Sequence, residues 1–209
     1  MQSAPLHITI EVVEALVEFL SARQVDPAPL LKATGIDMTE ANEEGFVDFH
    51  AFSNLFDAAE QVSGDEFIGL HVGEGFLARH WGQLGYLIIS GSDGFEGLHY
   101  MERFARIVTN ALQLKLEFDG PMLRCTFGLA TPRYSRHIVD YFTSSAFALS
   151  SMMTNGQFRF NEVQFVHPWV GDGQEYDRVL KAPCRFGARE NCITVMTDQF
   201  SSISRYRDP

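Results

Sequence analysis

Leu112–Phe127 reads LQLKLEFDGPMLRCTF, and its period decides what kind of fold the chain can adopt. Leu112, Leu114, Leu116 and Phe118 alternate with Gln113, Lys115 and Glu117. After Asp119-Gly120-Pro121, a turn signal, Leu123, Cys125 and Phe127 alternate again. Period-two alternation on both sides of a turn predicts a β-hairpin with one face toward a core. Everything upstream reads differently, with apolar residues recurring at helical spacing.

Val12, Val13, Leu16, Phe19 and Leu20 predict a helix capped at Thr9. Asp26-Pro27 starts a short helix that Gly35 stops. Asp48 caps the next, with Val47 and Phe52 spaced as a hydrophobic staple and Phe49, Phe52, Phe56 and Ala59 as its stripe, ending near Gly64. A brief helix runs from Asp65 to Gly73 and Gly75. Gly82 to Ser90 is apolar nearly all round, as in a helix buried on several sides. Asp93 and Glu96 form a capping box for a longer helix. Its expected buried face is Phe95, Leu98, Met101, Ala105 and Val108, and Glu102 and Arg106 form an i,i+4 pair on the other face.

Downstream of the hairpin, a helix is expected from Ser135 to Asn155, and a third strand around Val163, Phe165 and His167. A short helix follows from Gln174 to Lys181, then a fourth strand from Cys184 to Met196 with a break near Gly187. The expectation is an α+β fold: N-terminal helices, then a small antiparallel sheet of about four strands covered by helices. A space between sheet and helices is a natural seat for a small ligand.

Composition narrows the function. The net charge is −11, and there is no Lys/Arg cluster; Arg205 and Arg207 are the densest basic stretch. Such a surface repels phosphate backbones, so this chain alone is not expected to bind nucleic acid. Three cysteines without a CxxC spacing argue against a disulfide framework or zinc knuckle and fit a reducing cytoplasm. No signal peptide and no bilayer-length apolar run is present.

Catalytic motifs are missing: there is no GxSxG, HExxH or P-loop. His71 and His80 are too far apart for a helical metal pair, and His99 falls on a polar helix face. Cys184 and Cys192 read as small buried hydrophobes. Glu43, Glu44 and Asp172 read as solvated loop charge. No enzyme activity, cofactor or metal is expected. Eighteen phenylalanines can fill a thick core or line an apolar pocket. Among the helix aromatics, plain core packing accounts for most. The candidates for lining a pocket are Tyr86, Tyr100, Phe104, Tyr141 and Phe142. Tyrosines are the better ones because a buried hydroxyl needs a partner. Arg106, with Arg103, is a candidate for a ligand carboxylate, although pairing with Glu102 on the surface is preferred.

The run WGQLGYLIISGSDGFEGLHYMERFARIVTNALQLKLEFDG, with Gly82, Gly85 and Tyr86 followed by Phe95, Leu98, Phe104 and Arg106, resembles the central segment of the ligand-binding domain at the N-terminus of AraC/XylS-type transcription regulators. The later VQFVHPWVGDGQEYDRVLKAPCRFGARENCITVMTDQF resembles that domain's ending, through Phe165, His167, Pro168, Tyr176, Pro183, Cys184, Phe186 and Asn191. Asp26-Pro27, Leu30-Leu31 and Gly35 fit as well, so the likeness runs from about Ile8 to Phe200.

The resemblance implies an effector-sensing and oligomerisation domain over residues 1–200. Residues 201–209 would begin a linker to a C-terminal helix-turn-helix domain that binds DNA. It also implies a cytoplasmic homodimer, paired through an exposed amphipathic helix, with no membrane contact. The apolar balance of the candidate pocket favours a hydrophobic or amphipathic effector over a sugar. A haem or metal sensor using His99, His137 or His167 as an axial ligand is the alternative, and a cofactor-free enzyme ranks below both.

Overall fold

The computed structural model describes residues 4–39, 45–171 and 173–201. Strand β1 (His7–Thr9) leads into α1 (Ile10–Ala22), followed by α2 (Ala28–Thr34). Strand β2 (Phe46–Asp48) pairs with β1 and runs into α3 (Phe49–Ser63) and α4 (Ile68–Glu74). A 3-10 turn at Ala78–Trp81 precedes α5 (Gly82–Ile89) and α6 (Gly94–Phe104), and a second 3-10 turn covers Ala105–Ile107. The hairpin β3 (Leu112–Asp119) and β4 (Met122–Leu129) comes next, then the long α7 (Arg136–Met153). The chain finishes with β5 (Glu162–Gln164), α8 (Gln174–Leu180), β6 (Cys184–Arg185), β7 (Asn191–Met196) and α9 (Asp198–Ser201).

The α+β class holds, but the sheet is five-stranded and mixed, in the order β3-β4-β7-β5-β6, not an antiparallel sheet of four. Two features account for the difference. The segment expected as one strand from Cys184 to Met196 is broken at Gly187, whose φ of +66° is left-handed. It therefore supplies β6 and β7, one on each side of β5. And β5 reaches β6 through α8, a helical crossover, so the two run parallel; the other pairings in this sheet are antiparallel.

Local chemistry explains most helix ends. Asp48 accepts the Ala51 N–H and caps α3, whose Phe49, Phe52, Phe56 and Ala59 are fully buried. Asp93 accepts the Glu96 N–H, while the Glu96 carboxylate reaches back to the Ser92 N–H. Thr9 stands at the start of α1 but its side chain makes no capping bond. The buried stripe of α6 is turned away from Phe95, which is exposed and packs on Phe118 and Phe200. Gly94 and Gly97 take the inward positions instead, and at Gly97 a Cβ would stand 3.3 Å from Ile88 Cγ2. The Glu102–Arg106 pair does not form among the described residues: α6 stops at Phe104 and Arg106 falls on a 3-10 turn, where residues four apart no longer stack. Glu43, Glu44, Asp172, Arg205 and Arg207, with the linker segment 202–209, lie outside the described residues.

The tightest approach in the helical layer is α4 on α7. A Cβ at Gly69 would overlap the His137 carbonyl oxygen and come within 2.6 Å of His137 Cα. One at Gly73 would stand 2.7 Å from the Tyr141 carbonyl oxygen and 2.9 Å from the Ser145 nitrogen. Two glycines four residues apart thus bring the backbones together on one face of α4. On its other side, His71 Nδ1 lies 2.7 Å from Asp65 and Nε2 lies 2.6 Å from Glu175 of α8. Arg178 joins Glu175 to Glu74, closing the network between α4 and α8.

Two predictions follow from α4. Alanine at an ordinary helix glycine stabilises by about 0.8–1 kcal/mol, whereas overpacking costs about 1–3 kcal/mol. Because the obstacle at Gly69 is backbone, the clash wins, and Gly69→Ala lowers the urea-unfolding free energy by about 2 kcal/mol. A gain in stability contradicts the close approach. For His71, burial alone would lower the pKa, but the hydrogen bonds and charges of Asp65 and Glu175 outweigh it and raise it above 6.5. A raised imidazole pKa contributes stability that is complete below pH 6.5 and lost as pH climbs through the folded value. The urea midpoint of the wild type therefore falls with rising pH in that window, and it falls less in His71→Gln.

Candidate functional site

The inward face of the sheet and the helices above it do not close completely. The hairpin register sets Leu114 opposite Phe127, and Cys125 pairs across to Ile193 on β7. Side chains two apart on a strand share a face, so Leu112, Leu114, Cys125, Phe127 and Ile193 form the floor of a cavity. Trp81, Leu84, Met101 and Ala105 roof it from the segment between the first 3-10 turn and the second. Val108 and Thr109 close one side, and Phe142 and Ala146 of α7 supply another wall. The space between these walls is about 60 Å³, a small apolar cavity below the range of about 300–1,000 Å³ usual for small-molecule sites.

Glycines place the roof. Gly82 adopts φ +52° and ψ −134°, which turns the chain sharply from Trp81 into α5. At Gly85 a Cβ would overlap the Ala78 carbonyl oxygen, so α5 lies flat against the turn that carries Trp81. Both roles require the absence of a side chain, for different reasons.

The cavity is nearly devoid of free polar groups. Thr109 Oγ1 is committed: it donates to the His7 carbonyl at 2.6 Å and accepts from Ala111 N–H. Burial pushes the Cys125 thiol up to about 12, so it contributes as a neutral, weakly polar hydrophobe. No charged side chain stands in the lining. Cys192, next to Ile193, points to the opposite face of the sheet, and the three cysteines are free.

The residues proposed from sequence are dispersed. Phe142 lines the cavity. Tyr141, its neighbour, is fully buried on the adjoining face of α7 and packs on Phe56. Tyr86 is 55% exposed on the outer face of α5. Tyr100 and Phe104 are half-buried on α6, their rings tilted against each other, with the Tyr100 hydroxyl donating to Glu96. Arg106 is exposed. Sequence reasoning did not propose Trp81, Met101, Ala146 or Ile193; the period-two pattern of the strands was the signal for the floor, since one face of each had to meet the helices.

The histidines are occupied elsewhere. His137 Nδ1 accepts from Gly69 N–H and its Nε2 faces Glu60 at 3.1 Å. His167 Nε2 faces the buried Asp140 at 3.1 Å and its Nδ1 the Pro168 carbonyl. Asp140 also accepts from the Tyr176 hydroxyl and from Arg136, so its burial is matched by three donors. Asp57 and Glu60 lie beside His137 at metal-binding spacing, but Glu60 is already bound by Arg136 at 3.0 Å. His99 is exposed on α6. The buried His137 ring and the half-buried His167 ring therefore serve as structural donors and acceptors. No helix among the described residues is long and apolar enough to cross a membrane.

Comparison with known proteins places this geometry in context. The crystal structure of transcriptional regulator CdpR from Pseudomonas aeruginosa is similar over 96% of this chain, with a TM-score of 0.62 and 14% sequence identity. The chain spans 57% of the length of that regulator. At that identity the likeness establishes a shared fold. None of the curated proteins compared matches. The family model described as the arabinose-binding domain of AraC transcription regulators, N-terminal, matches residues 25–201. This chain accordingly belongs to the family of N-terminal arabinose-binding domains of AraC transcription regulators.

Proposed function

We propose that the chain is the effector-sensing domain of an AraC-type regulator and that the cavity between sheet and helices is its effector site. The observation that carries this reading is an apolar cavity of about 60 Å³ between sheet and helices, roofed by the segment that the two motif glycines, Gly82 and Gly85, hold in place. Phe142, Trp81 and Met101 are its principal contacts. Tyr86, Tyr100, Phe104 and Arg106 lie outside the lining and would act, if at all, by transmitting a movement of α5 and α6.

The effector is small, uncharged and apolar or amphipathic, not arabinose. A sugar brings a hydrogen-bonding group on nearly every carbon, and each one buried without a partner costs about 1–3 kcal/mol; the lining has no set of polar groups to meet them. The effector favours one arrangement of α5 and α6 over another, and the shift is limited by its differential affinity for the two. In the longer regulator that arrangement governs how an attached helix-turn-helix domain is presented. Pairing of two chains belongs to the same reading, because paired half-sites need two DNA-binding domains. The charge of −11 fits a domain that leaves DNA contact to its neighbour.

A thermal-shift screen of metabolites on the wild type and on Ala146→Trp tests the site. An effector present at about a hundred times its Kd stabilises by about 2.7 kcal/mol, which raises the Tm by roughly 5–10 °C for a domain of this size. Compounds that do so in the wild type should leave Ala146→Trp unmoved, because the indole fills the cavity. Equal shifts in both proteins, or hits confined to polyols, contradict the assignment.

A further inference from the structure

The five-stranded sheet has two edges, and they are built differently. At one, β6 is two residues long, too short to template another strand. At the other, β3 runs for eight residues, Leu112–Asp119, without a proline, and pairs with β4 residue for residue without a bulge. The ladder decides which backbone groups that edge presents. The Ala130 N–H donates to the Ala111 carbonyl, and in an antiparallel pair the residues that exchange bonds recur at every second position. Gln113, Lys115 and Glu117 therefore turn their N–H and C=O groups to β4. Leu112, Leu114, Leu116 and Phe118 turn theirs outward, and among the described residues no hydrogen bond meets them. An open row of donors and acceptors on a long, unbroken strand is a template for one more strand.

The side chains along this edge select a second copy of the same chain. Two copies of one strand pair antiparallel about a two-fold axis, so the residue on the axis faces itself and the others pair symmetrically around it. With the axis at Leu116, the outward groups of Leu116 meet their own counterparts, and those of Leu114 meet Phe118. The positions between them bring Lys115 opposite Glu117 of the second copy on both sides of the axis, in the closer, non-hydrogen-bonded pairs. An axis at Lys115 or at Glu117 would set like charges face to face, and one at Phe118 would set Glu117 against Asp119. An axis at Leu114 would leave Lys115 opposite Gln113 and Phe118 outside the paired strands. Lys115 and Glu117 are 68% and 48% exposed and lie 2.7 Å apart along one strand, so a second copy joins two such pairs into a square of alternating charge. Phe118, 58% exposed, gains an apolar neighbour in Leu114 of the second copy. We propose that the open edge of β3 is the homodimer interface, with two chains joined from Leu114 to Phe118 about an axis at Leu116 into one continuous sheet. This rests on the reading above in that two chains pair, and it puts the pairing on a strand edge in place of the amphipathic helix expected from the family likeness. Because Leu112 and Leu114 also floor the cavity, interface and effector site share a strand.

Charge swaps test the register at exposed positions that carry no core packing. Sedimentation equilibrium should give a wild-type dimer whose Kd rises about tenfold in Lys115→Glu and in Glu117→Lys, because each change puts two like-charge pairs in place of two opposite ones. The double swap Lys115→Glu/Glu117→Lys restores the alternation and should return the Kd to within about twofold of the wild type. Amide exchange on the wild type, read residue by residue, needs no variant. Leu114, Leu116 and Phe118 should exchange slowly in the dimer and quickly on dilution to monomer, while Lys115 and Glu117, bonded to β4, stay protected in both. A dimer whose Kd ignores the single swaps, stays weak in the double swap, or leaves the Leu116 amide exchanging fast overturns the strand-edge interface while the pairing of two chains stands. A wild type still monomeric at about 0.1 mM, where any Kd tighter than that would show, overturns the pairing and this inference together, and leaves the cavity to the thermal-shift screen.

Discussion

The structure depends on the contact between α4 and α7, where Gly69 and Gly73 bring two helix backbones within van der Waals distance. With α7 pinned there, its Phe142 and Ala146 reach the cavity while Tyr141 and Ser145 remain beside it. Any side chain at either glycine would push α7 away by its own thickness. The polar network on the far side of α4, from Asp65 through His71 to Glu175 and Arg178, holds α8 against the same helix. And α8 is the crossover that makes β6 parallel to β5. One short helix therefore fixes both the long helix under the site and the far edge of the sheet.

A cavity persists in this core because its walls come from rigid elements that meet at different angles. Interiors normally pack to crystal density, and the remainder of this core does so with buried aromatics such as Phe49, Phe52, Phe56, Phe158 and Phe165. Under the roof, small residues stand where large ones would close the gap: Ala105 and Ala146 both line the space. Polar groups near it, such as Thr109 and the buried Asp140, are committed to partners within the protein.

Much of the fold was legible in the sequence because it rests on local rules. The period of LQLKLEFD and MLRCTF gave the hairpin, Asp48 and Asp93 gave their helix starts, and the stripe of α3 is buried as its spacing required. The features that escaped are non-local. Whether 184–196 is one strand or two depends on where β5 inserts, and only the left-handed Gly187 hinted at the break. Phe95 was placed inside because apolar side chains usually are; Gly94 and Gly97 took that face, and at Gly97 the neighbouring helix leaves a Cβ only 3.3 Å from Ile88. The cavity was foreseen as a place, between sheet and helices, but only Phe142 among the residues first proposed lines it. Tyr86 followed from an apolar run that is exposed on one side, and the roles of Trp81 and Ala146 depend on the crossing of α7 with α5, which spacing alone does not encode.

The most direct test of the central claim is a crystal structure of this chain bound to the uncharged apolar or amphipathic compound that the thermal-shift screen finds tightest. The account predicts one molecule enclosed between the sheet and α5, α6 and α7, in contact with Trp81, Met101 and Phe142. A ligand seated on the protein surface, with the inner cavity collapsed or holding only water, would contradict it.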